Sequence, residues 1–554
     1  MCGIWAFLLK SVSNPLFPEF MKISHRGPDK STFTQIENLY FGFHRLALVD
    51  LSVLGDQPFI KNIKTSNEEY DLYTLCNGEI YNYKELINTH KLTVESHSDC
   101  AVIPEMFIKY GIEKTVKLMN GEFSFTIIKI NKKDKTIEFF IGRDPFGVRP
   151  LFYSNDLIGF GLSSELKGLA TISNKVEIFP PGHYAHWKNN NLEIKNYISL
   201  DIFKGNDVTF IKDNKHARLI VKHMLTKSVE DRLETNREIG ALLSGGIDSS
   251  LVAAIAARKL KKEGKKIKTF SIGTKDSTDL YYANLVAKHI DSEHIVIDFD
   301  PVKALKLIPK VIEAIESYDI TTVRASTVQY YLISEVKKYI PCVLNGDGSD
   351  EVSGSYLYFH NAPNDKAFND ECIKLLEEIH RYDVLRVDRT IAAHGVEARV
   401  PFLDVDYVNS YLSIDPSLRR PRQIITADGK TYTNKPIEKA LLREAFLDEN
   451  LIPEEVLMRK KEAFSDGCSN TEKSWFRIIQ DMIDKLYTDE EFQTESVKFE
   501  INQPKTKEAY YYRMIFTSLY GENNAHVIPH MWLPNWSGNI QEPSARVLDV
   551  YKND

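Results

Sequence analysis

The 554-residue chain has little of several things that would classify it at once. Six cysteines, at positions 2, 76, 100, 342, 372 and 468, are too few and too scattered for a disulfide framework. No apolar run approaches the roughly 18 residues that a membrane-crossing helix needs. The first ten residues lack the basic lead and longer apolar stretch of a secretory signal. Neither sign of charge dominates: 70 Lys+Arg against 77 Asp+Glu leave a net charge of −7. That balance gives no reason to expect nucleic acid or an anionic membrane as a partner. The densest basic run, residues 258–268, is broken by Glu263 and Gly264 and reads as the solvated end of a helix. Repeats and low-complexity tracts are absent. With 43% hydrophobic and 27% charged residues, disorder, collagen and coiled coil fit poorly. The expectation is a soluble protein of a reducing compartment, the cytoplasm, and a homodimer is left open.

Two patterns divide the chain. The first 200 residues carry short β-branched or aromatic runs bounded by polar turns, at residues 72–76, 123–128 and 137–141. Helical spacing lies between them, at 100–110. This predicts a layered α+β domain, ending in a strand at 192–198 and the loose segment 204–213. The boundary is placed near 210, giving domains 1–210 and 211–554. Beyond it come strand–loop–helix units: 239–243 into Ser244-Gly245-Gly246-Ile247-Asp248-Ser249, then strands at 267–272, 294–299 and 340–344. Such alternation predicts a doubly wound α/β domain with a parallel sheet. From about 370 onward the pattern is mostly helical.

The loop Ser244-Gly245-Gly246-Ile247-Asp248-Ser249 is the strongest local signal. Two glycines allow the backbone N–H groups to close on a phosphate, and a helix expected from Ser249 adds its positive end. The loop has no Walker A lysine, and Asp248 beside a phosphate makes sense only with a divalent cation between them. It resembles the pyrophosphate loop of ATP pyrophosphatases, in which a second carboxylate, here Asp279, helps hold magnesium. The alternative is a glycine-rich turn without ligand.

Cys2 becomes a chain terminus if Met1 is removed. Its α-amine, with a pKa of about 7.7–8.0, is then a base beside the thiol nucleophile. Alone this is a weak signal, and a buried cysteine is the plainer reading. In company with His25-Arg26-Gly27-Pro28-Asp29, Arg45-Leu46-Ala47-Leu48-Val49-Asp50, Asn77-Gly78-Glu79, Ser98-Asp99 and the run Gly142-Arg143-Asp144-Pro145-Phe146-Gly147-Val148-Arg149-Pro150, it resembles the glutaminase domain of N-terminal-nucleophile amidotransferases. The resemblance implies that Arg45 pairs with the glutamine carboxylate, Asp99 with its ammonium, and that Asn77 and the Gly78 N–H form the oxyanion hole. Leu46, Ala47, Leu48, Val49 and Glu79 complete the glutamine site. Arg26 and Asp29 are expected to brace the fold as an ion pair, with Arg143 and Arg149 doing likewise.

Both halves together resemble the glutamine-dependent asparagine synthetases, on Tyr318-Asp319-Ile320-Thr321-Thr322-Val323-Arg324, Gly395-Val396-Glu397-Ala398-Arg399-Val400-Pro401 and Lys460-Lys461-Glu462-Ala463-Phe464. The resemblance implies ATP, aspartate and glutamine as substrates and Mg²⁺ as cofactor. ATP contacts fall on Leu243, Ser244, Gly245, Gly246, Asp248, Ser249, Ile272, Asn345 and Gly346, and metal ligands on Asp248, Asp279 and Asp350. Arg324 and Lys461 would balance phosphate charge. Ammonia would travel through a passage with apolar walls. One loop departs from the family pattern, reading Asn345-Gly346-Asp347-Gly348-Ser349-Asp350-Glu351 where Ser and Glu are expected at 345 and 347. Asp347 would then serve as the base with one methylene less reach. Three rivals stand beside this reading: a β-lactam-forming synthetase, a plain glutaminase and a non-catalytic sensor.

Overall fold

The computed structural model describes residues 1–10, 16–205, 208–424, 431–462, 468, 474–538 and 540–544. Residues 463–467 of the third family string, residues 206–207 of the loose segment and the last ten of the tail lie outside them.

Two antiparallel six-stranded sheets build the first domain. One runs, edge to edge, Glu177–Ile178, Phe152–Asn155, Gly159–Ser163, Gly3–Leu9, Leu39–Arg45 and Lys30–Ile36. The other runs Asn191–Asn196, His183–Lys188, Ile137–Arg143, Gly121–Asn131, Glu69–Ile80 and Phe59–Lys64. Strand periodicity explains why Gly3–Leu9 is apolar throughout. Ile4 and Ala6 face a core shared with Leu75, Ile128 and Ile141 of the second sheet, whereas Trp5, Phe7 and Leu9 face the opposite way. That opposite face joins the large core that continues into the second domain. The helices Tyr83–His90 and Val102–Leu118 cover the outer face of the second sheet.

The second domain holds a five-stranded sheet in the order Glu293–Asp298, Lys268–Gly273, Ile239–Leu242, Cys342–Leu344, Glu397–Arg399, every pairing parallel. All four expected strands fall within a residue or two of their places, and the fifth strand lies inside the string read only as a family motif. The first connection from Ile239–Leu242 runs to Lys268–Gly273 on one side and Cys342–Leu344 pairs on the other, so the sheet's switch point lies between those two central strands. Ligands of such sheets bind beyond the carboxyl ends at that point. Both glycine-containing loops, 244–249 and 345–348, leave from it.

Arginines bind the two domains together through buried charge. Arg26 reaches Glu165 at 2.7 Å and Asp388 at 2.8 Å. Arg232 reaches Glu122 and Asp404, each at 2.9 Å. Arg149 donates to Glu122 at 3.0 Å and to the Ala398 carbonyl at 2.8 Å. The expected Arg26–Asp29 pair does not form: Asp29 instead accepts from the Ala47 N–H at 2.8 Å and meets Arg237 at 3.2 Å. Arg143 braces a loop through three carbonyls, those of Arg149, Gly147 and Phe179. A buried guanidinium takes whichever carboxylates the packing delivers, here from across the domain boundary.

Candidate functional site

Two centres emerge, one at each side of that boundary. In the first, pairing of Gly3 with His44 carries Cys2 alongside the chain that leaves the neighbouring strand. The Leu46 N–H lies 3.5 Å from Cys2 Sγ, and Sγ lies 3.7 Å from the Leu46 carbonyl oxygen. Arg26 Nε donates to the Cys2 carbonyl at 2.8 Å. Burial pushes the thiol up to about 12, against the pull of the nearby chain-terminal ammonium. At neutral pH the thiol is therefore protonated, and attack needs a base. Met1 is fully buried, with its ammonium 3.4 Å from Glu397 of the second domain. Burial pushes the Glu397 carboxyl up, but that ammonium, Arg399 and Arg149 outweigh it and hold the group at about 2.

Asn77, Gly78 and Glu79 end the strand Glu69–Ile80. Asn77 is fully buried, and among the described residues neither its amide nitrogen nor its amide oxygen has a hydrogen-bond partner. An orphaned donor of this kind is what a developing oxyanion requires. A Cβ on Gly78 would lie 2.1 Å from the Glu122 carbonyl oxygen, so the adjoining strand admits only glycine. Asp99 accepts from the Ile80 N–H at 2.6 Å, and burial raises its carboxyl to about 6. Glu79, also raised by burial, sits 3.2 Å from Arg399. Glu79 and Glu397 thus both meet the Arg399 guanidinium, at 3.2 and 3.0 Å. Arg45, the expected carboxylate fork, is engaged by its own loop: it donates to Ser52 O at 2.8 Å, to Asp56 at 2.7 Å and to the Asp50 carbonyl. Leu46 and Leu48 are buried, Ala47 and Val49 half-buried. The Leu48 carbonyl accepts from the Asn236 N–H at 2.8 Å, tying this segment to the second domain.

The second centre is a cavity at the switch point. Leu243, Ser244, Gly246, Asp248, Ser249, Ile272, Asn345 and Gly346 line it, together with Asp279, Asp347, Asp350 and Lys461. Gly245 does not: its φ is +77°, and a Cβ there would meet the Ala283 nitrogen at 2.5 Å, so its work is close packing against the helix Thr278–His289. The helix expected from Ser249 begins at Ile247, capped by Gly246 without a side-chain bond. Asp248 therefore lies in the first turn, and the uncapped amides face the loop, an anion site by construction. The loops touch: a Cβ on Gly346 would be 2.8 Å from the Ser249 nitrogen.

Charge in the cavity is paired. Asp248 accepts from Ser349 Oγ at 2.6 Å and from Lys439, which also meets Asp350 at 2.7 Å. The other Asp350 oxygen takes Lys461. Burial pushes Asp350 up, but the two ammoniums outweigh it and hold it well below the usual carboxylate range. Asp279 lies apart, 2.6 Å from Arg459. Among the described residues no group of three or more His, Cys, Asp or Glu is placed to hold an ion. The three-carboxylate set is thus not gathered. Asp248 and Asp350, converging on one ammonium, do fit a magnesium ion that takes its other ligands from phosphates and water.

Asp347 meets Arg386 at 2.6 Å, and Arg386 also contacts Asp383 at 2.7 Å and Gln329 at 2.9 Å. Burial raises the Asp347 carboxyl, with Arg386 pulling the other way. The Asn345 amide nitrogen is buried, with no partner among the described residues. Arg324 departs from expectation: it does not line the cavity, and its guanidinium is held by Glu508 at 2.6 and 2.8 Å and by Glu542 at 2.6 Å. A guanidinium flanked by two carboxylates has no charge to spare for phosphate in this arrangement. Lys439, Arg459, Arg386 and Gln329 were not read from the sequence. They come from elements far along the chain, and nothing local to them announces a cavity.

Comparison with known proteins agrees in both halves. Residues 1–175 match the glutamine amidotransferase domain family, and residues 221–370 and 361–543 match the asparagine synthase family. Among curated proteins, the chain is 41% identical to the glutamine-hydrolysing asparagine synthetase of Bos taurus. It is 40% identical to that of Homo sapiens and 38% to that of Gallus gallus. Each alignment covers 100% of this chain and 99% of the relative.

Proposed function

The chain belongs to the glutamine-hydrolysing asparagine synthetase family, and from that premise we propose how its two centres divide the reaction. It is a carbon–nitrogen ligase. At the cavity, the aspartate β-carboxylate attacks the α-phosphorus of ATP, giving β-aspartyl-AMP and pyrophosphate. At Cys2, glutamine is hydrolysed to glutamate and ammonia. Ammonia then displaces AMP from the β-carbonyl, and asparagine leaves. The first centre occupies domain 1–210 and the second domain 211–554. We place the enzyme in the cytoplasm.

The observation that carries this reading is the pair of centres on one chain, each with orphaned or convergent polar groups aimed where the chemistry requires them. Removal of Met1 leaves the Cys2 amine as the base beside the thiol. The Asn77 amide, without a partner, and the Gly78 N–H receive the oxyanion. Asp99 and Glu79 take the glutamine ammonium, and Arg45, once a carboxylate displaces its loop contacts, the other end. The amides at the start of helix Ile247–Lys262 bind phosphate, with Leu243 and Ile272 against the purine and Asn345 and Gly346 beside the phosphate chain. Magnesium, held by Asp248 and Asp350, neutralises phosphate charge when bound. Lys461 adds counter-charge from the protein. Asp347 takes a proton from ammonia as it attacks.

The test gives the purified protein ATP, Mg²⁺, aspartate and glutamine, and measures AMP, pyrophosphate and asparagine separately. Cys2→Ala is expected to abolish glutamine-dependent synthesis and spare synthesis from ammonium salt. Loss of both in a folded variant refutes two separate centres.

A further inference from the structure

Lys439 belongs to neither loop, yet its ammonium stands between their acids. It precedes the helix Ala440–Phe446, is 2% exposed, and has φ +57°, a conformation that side chains other than glycine seldom adopt. The helix begins on its carbonyl, which accepts from the Arg443 N–H at 2.9 Å. The backbone is thus held where the stem points inward. Its Nζ meets Asp350 Oδ1 at 2.7 Å and also bonds Asp248 Oδ2. These carboxylates come from helices that start beside the ends of adjacent parallel strands, Ile247–Lys262 and Ser349–Ser353. Each keeps its remaining oxygen on a different partner, Ser349 for Asp248 and Lys461 for Asp350. Without a cation between them the two acids would repel.

Magnesium needs oxygens at about 2.0–2.1 Å in an octahedral array, commonly one or two carboxylates with phosphates and water. The point on which Asp248 and Asp350 converge is filled by the lysine, and an ammonium and a metal ion cannot share it. A lysine is a point charge on a flexible four-carbon stem, so Nζ can leave without the helix moving. The same cavity wall that bears Lys439 faces the phosphate-binding loops.

We propose that Lys439 is a place-holder for the divalent cation: in the nucleotide-free protein it keeps Asp248 and Asp350 convergent and excludes the ion, and when cation and nucleotide arrive together it moves onto the polyphosphate. Cation binding then depends on nucleotide, and the enzyme does not load metal alone. This rests on the assignment of Asp248 and Asp350 as the cation ligands, and it makes Lys439 a positioning residue.

The probe is Mn²⁺ titrated into the full-length protein, with free Mn²⁺ read by electron paramagnetic resonance. Titrations are made with and without α,β-methylene ATP, which cannot be cleaved at the α-phosphate. The parent is expected to bind Mn²⁺ weakly alone and far more tightly with the nucleotide. Lys439→Gln is expected to bind Mn²⁺ alone at least tenfold more tightly than the parent, with the nucleotide's enhancement reduced by about the same factor. Lys439→Arg, which keeps the charge, should not gain. Parent-like or weaker Mn²⁺ binding by a folded Lys439→Gln overturns the proposal, as does an equal gain in Lys439→Arg. Should Lys439→Gln fail to fold, Lys439→Met carries the same expectation with the stem intact. If neither folds, Lys439 is a structural brace and the proposal falls. Absence of asparagine from the parent would refute the functional reading while leaving these affinities to decide the role of Lys439.

Discussion

Replacing Asp347 by asparagine separates chemistry from structure at the loop that departs from the family pattern. The side chain keeps its size and an acceptor oxygen for Arg386, now 2.6 Å away. Arg386 retains Asp383 at 2.7 Å and Gln329 at 2.9 Å, so its buried charge is not stranded. The change exchanges a charged hydrogen bond for a neutral one, a loss of about 1 kcal/mol, and the melting temperature should fall by no more than a few degrees. Removing a general base costs about 10²–10⁴ in rate, or roughly 3–5 kcal/mol on the barrier. Ammonium-supported asparagine formation should therefore collapse while glutamine hydrolysis continues. Asp347→Glu restores the methylene, and because about 1 Å at a reacting group can be worth on the order of a hundredfold, it should retain synthesis or improve it. The assay follows asparagine and glutamate separately, with a melting curve for each variant. Asparagine made by Asp347→Asn at the parent rate refutes the base role. A parallel fall of both activities and of the melting temperature would show instead that the Arg386 pair is only structural.

The remaining predictions concern the other carboxylates. Asp248→Ala should stop aspartate-dependent AMP release and leave glutaminase turnover, and normal AMP release would sink its assignment as a cation ligand. Asp279→Ala, which takes from Arg459 one of its two carboxylate partners, at 2.6 Å, and leaves Glu462 at 3.1 Å, should weaken nucleotide binding without altering Mn²⁺ stoichiometry, a distinction titration can read. Asp99 supplies the pH dependence: with its carboxyl raised from 3.8 to about 6, kcat/KM for glutamine should fall about tenfold per unit below about pH 6, and Asp99→Asn should erase that limb. The sign for stability is opposite. The folded protein keeps a proton between pH 3.8 and 6 that the unfolded chain has released, so this group costs stability as pH rises through that window. Asp99→Asn should therefore melt higher at pH 7 than the parent, and a lower melting temperature would contradict the burial argument.

What the sequence determined by itself is what depends on local order. Glycines and serines in Ser244-Gly245-Gly246-Ile247-Asp248-Ser249 can make only a tight strand-to-helix turn, and the apolar run before it can only be a buried strand. Alternating strand and helix patterns then force a parallel sheet, because parallel neighbours need a crossover. The cavity at the ends of those strands follows, lined by residues of both loops, although Gly245 packs instead against a helix. Tertiary structure decided who neutralises whom. Arg26 found Asp388, more than 360 residues away, instead of Asp29, three residues on. Arg324 was claimed by Glu508 and Glu542 before any phosphate could reach it. Lys439, nearly 200 residues beyond Asp248, took the point on which two acids converge. Hydrogen-bonded turns and strands are written within a few residues of one another, whereas a buried charge must be matched by any partner the packing brings within about 3 Å, and sequence separation carries no information about that.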